Sequence, residues 1–119
     1  FRDRQPPYSE DAELAVLAAM LMDQDAIERT GESLNDSMFY VERNRRVFRA
    51  ITAISQQGTV VDPLTLAEEL NRRGELDAAG GKEYIGFLVD AVPTAANVEY
   101  HAKIVLEKAL IRSLIQVST

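Results

Sequence analysis

The stretch AVPTAANVEYHAKIVLEKALIRSL, residues 91–114, decides the fold. Pro93 stops whatever precedes it, and Thr94 or Asn97 can accept hydrogen bonds from the N–H groups that the first turn of a helix leaves without partners. At about 100° per residue, Val98, Ala102, Val105, Leu106 and Ala109 gather on one face of a long helix, while Ile104, Ile111 and Ile115 make a second apolar stripe. One stripe is enough to meet a small core. The second must be covered by another element, another subunit or a partner, and for Ile111 and Ile115 the expected cover lies outside this chain.

Upstream, the punctuation is helical throughout. FRDRQPPY, residues 1–8, carries three charges and two prolines and reads as an extended arm, with the globular part occupying residues 9–119. Ser9 caps a first helix whose opening acids, Glu10, Asp11 and Glu13, complement the positive end of the helix dipole, and apolar residues cover most of its girth from Leu14 to Met22. That helix belongs at the centre of the core. A short helix is expected over residues 25–34, then a turn or cap at Asn35-Asp36-Ser37 anchored by Phe39 and Tyr40. Val47, Phe48, Ile51 and Ile54 recur at helical spacing over residues 42–57, and Gly58 suits the left-handed position beyond.

Asp62-Pro63 is the clearest helix start, since aspartate caps and proline lacks only an N–H that the first turn does not use. Leu64, Ala67 and Leu70 are expected to face inward, with Gly74 closing that helix. The Gly80-Gly81 pair leads into another short helix carrying Tyr84, Ile85, Leu88 and Val89, and the one strand-like run, residues 59–61, is too short for a sheet. An all-α domain of about six helices follows.

Composition bounds the function. The chain has 119 residues, no cysteine and a formal net charge of −6. It is one domain, able to bury roughly two-thirds of its unfolded surface without staples. Absence of thiols fits a reducing cytoplasm and removes thiolate ligands and nucleophiles. The apolar run of residues 14–22 falls short of a membrane span. Net negative charge repels a phosphate backbone at long range. The apolar helical pattern still running at Thr119 is that of a piece of something longer.

No constellation for catalysis emerges. Gly81-Lys82 fails as a phosphate loop because Leu76 stands where glycine is needed and Glu83 where a Mg²⁺-binding hydroxyl is needed. Asp23-Gln24-Asp25 begins like a calcium loop, but Ile27 takes the next ligand position. His101, the single histidine, has neither cysteines nor a nearby fixed carboxylate pair to join it as a ligand or general base. No catalytic residue, cofactor or metal is therefore expected. Arg45, Arg46 and Arg49 lie opposite the Val47, Phe48 and Ile51 face, either as a solvated patch neutralised by nearby acids or as a contact for an acidic partner or single-stranded DNA. The second possibility makes an all-α DNA-binding module the alternative reading.

The ordered set Pro6-Pro7-x-Ser9-x-x-Ala12-Glu13, Val16-Leu17, Met20-Leu21, Phe39-Tyr40, Val47-Phe48, Asp62-x-x-Thr65-Leu66, Gly80-Gly81-x-x-Tyr84 and Pro93-Thr94-Ala95-Ala96-Asn97, followed by Tyr100, Ala102, Ile104-Val105, Lys108 and Arg112, resembles the N-terminal domain of the bacterial DnaB-type replicative helicase over nearly the whole chain. Asn44, His101 and Ala18 depart from the histidine, tyrosine and glycine usual there. The resemblance implies a non-catalytic helical head, followed in the family by a helical hairpin and a RecA-like ATPase that uses ATP and Mg²⁺ and handles DNA. It implies self-association in the collar of a hexamer and docking of the primase C-terminal domain, with initiator or loader proteins as further partners. Carried over residue by residue, it places primase contacts near Asp11, Tyr84 and Ile115, the last of which the stripe selects independently.

Overall fold

The computed structural model describes residues 6–91 and 97–118 and contains six α-helices, with no strand among the described residues. They are α1 (Glu10–Met22), α2 (Gln24–Gly31), α3 (Glu42–Gln56), α4 (Pro63–Arg72), α5 (Gly81–Ala91) and α6 (Val98–Ser118), with one 3-10 turn at Asp36–Met38. Of the expected arm, Pro6, Pro7 and Tyr8 are described and carry no helix; Pro93 and Thr94 lie outside the described residues, while Asn97, the other expected cap, stands immediately before α6.

α1 is the hub. It packs on α2, α3, α5 and α6, because Ala15, Val16, Leu17, Ala18, Ala19 and Met20 bury its circumference rather than one stripe. Around it α3 meets α4, α4 meets α5, and α2 meets α6. Phe39, Val47, Ile51, Leu66, Leu70, Leu88 and Val105 complete a continuous core.

Local grammar explains most boundaries. The Ser9 hydroxyl accepts from the Ala12 N–H at 3.1 Å. The Asp23 carboxylate starts α2 by accepting from Asp25 N, so this helix begins at Gln24 and ends at Gly31, short of Leu34. At α4, Asp62 and Thr65 form a reciprocal capping box, with Thr65 N to Asp62 Oδ1 at 2.8 Å and Asp62 N to Thr65 Oγ1 at 2.9 Å. Gly58 and Gly74 follow α3 and α4 with φ of +77° and +71°. Gly80 is more constrained, because it combines φ +95° with an approach so close that an added Cβ would lie 2.6 Å from the Tyr84 Cβ.

One inward assignment is corrected. Leu64 is 68% exposed; the buried face of α4 is centred on Leu66 and Leu70, and two residues before Leu66 is roughly 200° round the helix. Val89 is also exposed, one step beyond the Tyr84, Ile85 and Leu88 face of α5. On α6 the first stripe behaves as expected: Val98, Ala102 and Val105 are buried and Leu106 packs against the core, joined by Ile104 from the second stripe.

Candidate partner-docking surface

Val41 begins α3 without a side-chain cap. Its place is taken from α1 by Glu13, whose carboxylate accepts from Tyr40 N at 2.7 Å and Val41 N at 3.3 Å, and from the Asn44 amide at 2.9 Å. Glu13 is only 1% exposed, so besides standing in the acidic first turn of α1 it is a buried carboxylate engaged with donors at the start of another helix. Asn44 passes the network on by accepting from the Tyr84 hydroxyl. Asn44 thus uses its amide both as donor, to Glu13, and as acceptor, from Tyr84.

The four residues singled out as partner contacts fall into different environments. Asp11 is exposed at the start of α1, and Ile111 and Ile115 are 44% and 48% exposed on the last turns of α6, beside the exposed Leu110 and Leu114. Tyr84 differs. It is 9% exposed, its ring lies under the Arg43 guanidinium at 4.7 Å, and burial pushes its phenol above the ordinary value. The aromatic presented to solvent is Phe87, one turn along α5, stacked on Tyr84 with centroids 6.2 Å apart. Periodicity alone favours Tyr84 and Phe87 about equally; what separates them is the pairing of the phenol with Asn44, a contact 40 residues away in sequence.

Contacts link these places. Arg43 also reaches Glu10 at 3.0 Å. At the other end, Arg112, which lies between Ile111 and Ile115, donates to Met38 O at 2.7 Å and to Pro7 O at 3.0 Å and sits over the Tyr40 ring, which in turn stacks on Tyr8. A continuous series of contacts thus runs from α6 through Tyr40, Glu13, Asn44 and Tyr84 to Phe87.

Of the two readings of the arginine patch, the structure carries the one in which nearby acids neutralise it. Arg46 binds Glu42 and Glu75, the latter at 2.7 Å; Arg49 binds Asp36 at 3.0 Å; Arg45 donates to the carbonyl oxygens of Phe39 and Tyr40. The hydrogen bond from Arg46 is the main reason that the Glu42 carboxyl is held below its ordinary range. Each of these arginines is thus engaged by acids or carbonyl oxygens of the domain, with side chains 32%, 23% and 40% exposed for Arg45, Arg46 and Arg49.

A cleft of about 310 Å³ between α2 and α6 is lined by residues that include Arg29, Thr30, Glu99 and Lys103, but Arg29 is occupied by Asp25 at 2.9 Å and Glu99 at 3.4 Å. Among the described residues, no three histidine, cysteine or acidic side chains are placed to hold a metal, and no helix is long and apolar enough to cross a membrane.

Comparison with known proteins completes the description. The model of the DnaB-like helicase N terminal domain matches residues 5–107. The chain is 48% identical over 116 residues to the replicative DNA helicase DnaB of Rhodothermus marinus, covering 98% of this chain and 12% of that protein. It is 42% identical over 119 residues to the replicative DNA helicase DnaB of Geobacillus stearothermophilus, of which it covers 26%. The crystal structure of the N-terminal domain of DnaB helicase from Mycobacterium tuberculosis superposes with a TM-score of 0.94 at 43% identity, over 96% of this chain and 79% of that one. The chain therefore spans a small part of the length of these helicases.

Proposed function

The chain belongs to the family of DnaB-like helicase N-terminal domains, and on that premise we propose that it is the non-catalytic assembly and interaction head of a hexameric replicative DNA helicase. In this reading the head, residues 9–119, self-associates in the collar of the hexamer and docks the C-terminal domain of primase, in the cytoplasm. ATP, Mg²⁺ and the principal DNA contacts belong to the RecA-like part of the helicase.

The observation that carries the proposal is the exposed apolar end of α6, Leu110, Ile111, Leu114 and Ile115, directly beyond the part of the same helix that the core buries. Covering one such side chain is worth roughly 1.5–3 kcal/mol, enough to change an affinity about tenfold. The alternative, a DNA-binding module built on Arg45, Arg46 and Arg49, is disfavoured by their engagement with Glu42, Asp36 and Glu75 and by the net charge of −6.

The test is calorimetric titration of the primase C-terminal domain into the full-length helicase, with sedimentation to follow assembly. Ile115→Asn is expected to weaken primase binding or assembly about tenfold while the head stays folded. Unfolding of the head by Ile115→Asn, with binding and assembly unchanged in the full-length protein, would show the stripe to be ordinary core.

A further inference from the structure

The amino end of the described chain and the last turns of α6 meet at one side chain. From Leu110 to Gln116, Arg112 is the one described residue of α6 that is not exposed. Its guanidinium donates through Nη1 to Pro7 O at 3.0 Å and through Nη2 to Met38 O at 2.7 Å, and its Cζ lies 5.4 Å from the Tyr40 ring centroid. Burial holds its pKa below the ordinary value, as for a cation drawn partly out of water. A planar fork with two donors directed at separate acceptors is what arginine supplies and lysine does not.

The two acceptors differ in how firmly the domain holds them. Met38 ends the 3-10 turn Asp36–Met38, which Arg49 grips through Asp36 at 3.0 Å. The residues that follow are pinned by Arg45 on the carbonyl oxygens of Phe39 and Tyr40 and by Glu13 on the backbone nitrogens of Tyr40 and Val41. Pro7 stands ahead of α1 and outside any helix, and Tyr8 beside it stacks on Tyr40 with centroids 4.4 Å apart. Met38 is thus a built-in catch, whereas Pro7 is a catch that the arm delivers.

We propose that Arg112 is a latch through which the N-terminal arm, by way of Pro7 and Tyr8, orders the last turns of α6. Arg112 is a positioning residue: Leu110, Ile111, Leu114 and Ile115 stand on the turns it fixes, so the arm governs whether these exposed apolar side chains are presented as one face. With both carbonyls in place the guanidinium cannot turn and α6 stays ordered past Ile111. Withdrawal of Pro7 leaves it the Met38 catch, and the end of the helix loosens. Linkage makes the effect reciprocal, so loss of Arg112 also loosens the arm. The inference does not depend on what covers the end of α6, because it is read within the helicase itself.

The test is amide hydrogen exchange on the full-length helicase, followed in peptides covering residues 8–13 and 109–116, with residues 47–54 of α3 as the core reference. Arg112→Met, which keeps the apolar stem and loses both donors, is expected to speed exchange about tenfold in both windows and to leave the core unchanged. Truncation of the arm through Tyr8 should speed exchange over 109–116 about threefold or more, although it removes nothing from α6. Combining the two changes should add little to Arg112→Met alone, because both break the same contact. Arg112→Lys, which keeps the charge but not the fork, should fall between the parent and Arg112→Met. If truncation leaves 109–116 as protected as in the parent, or if the two changes add in full, the arm and α6 are held independently and the latch is overturned. Faster exchange of the core in step with both windows, in Arg112→Lys as well as in Arg112→Met, makes Arg112 ordinary support of the fold and overturns it too.

Discussion

The Glu13 carboxylate lies 2.7 Å from the backbone nitrogen of Tyr40, so a residue of α1 closes the start of α3. The two helices are joined by a buried anion at a helix N-terminus as well as by apolar packing, and the polar arrangement specifies one register between them.

Glu13→Ala should therefore destabilise the domain far more than loss of a surface acid. Tyr40 N, Val41 N and the Asn44 amide would lose their acceptor together, at a cost of about 3 kcal/mol or more. Urea unfolding measures it; a change under about 1 kcal/mol would mean that water or another side chain replaces the carboxylate.

Asp62→Ala removes one half of the α4 capping box. The expected loss is about 0.5–2 kcal/mol in stability, with affinity for primase nearly unaltered. A tenfold loss of binding at unchanged stability would place Asp62 in an interface instead.

Charge reversal at Arg46 and Arg49 tests whether the patch is internal. Each reversal sets an acid against Glu42, Glu75 or Asp36, so the unfolding midpoint should fall at low salt and recover in part as salt screens the repulsion. The sequence pattern alone, which places these arginines away from the core, implies no loss of stability at all. Unchanged midpoints at every salt concentration would return the patch to solvent.

Glu69 sets a pH dependence. Hydrogen bonds from Arg72 and Arg73, at 2.6 and 2.7 Å, hold its carboxyl below the ordinary 4.5. A carboxyl depressed in the folded state stabilises it above the unfolded value and loses that contribution as pH falls through the folded one. Stability should decline below about pH 4.5, and Glu69→Gln should flatten that acid limb. Equal pH profiles for the two proteins, followed by urea midpoint, would refute the assignment.

Where a single residue type carries its own mechanism, the sequence was sufficient. Ser9, Asp62-Pro63, Gly58 and Gly74 mark helix ends by local chemistry, and the structure places helix boundaries beside each of them. Residues that act across distance were not legible. Glu13 has the composition of an ordinary helix-start acid, and only the packing of α1 against α3 makes it a cap for another helix. Leu64 shows the converse: its type suggests core, yet its angle around α4 points it away. The docking surface divides the same way, since the α6 stripe follows from periodicity, whereas choosing Phe87 over Tyr84 needs to know which ring the chain has already buried.

The hydrogen bond from Arg112 to Pro7 joins residues 105 positions apart. A contact of that span waits for almost the entire domain to be available, because closing so long a loop gains nothing until the intervening elements are in place. On a ribosome, where the amino end emerges first, Pro7 and Tyr8 leave the tunnel long before α6 exists to receive them. Through that interval Tyr40 has no Arg112 over its ring, and α6 is what finally fastens Pro7.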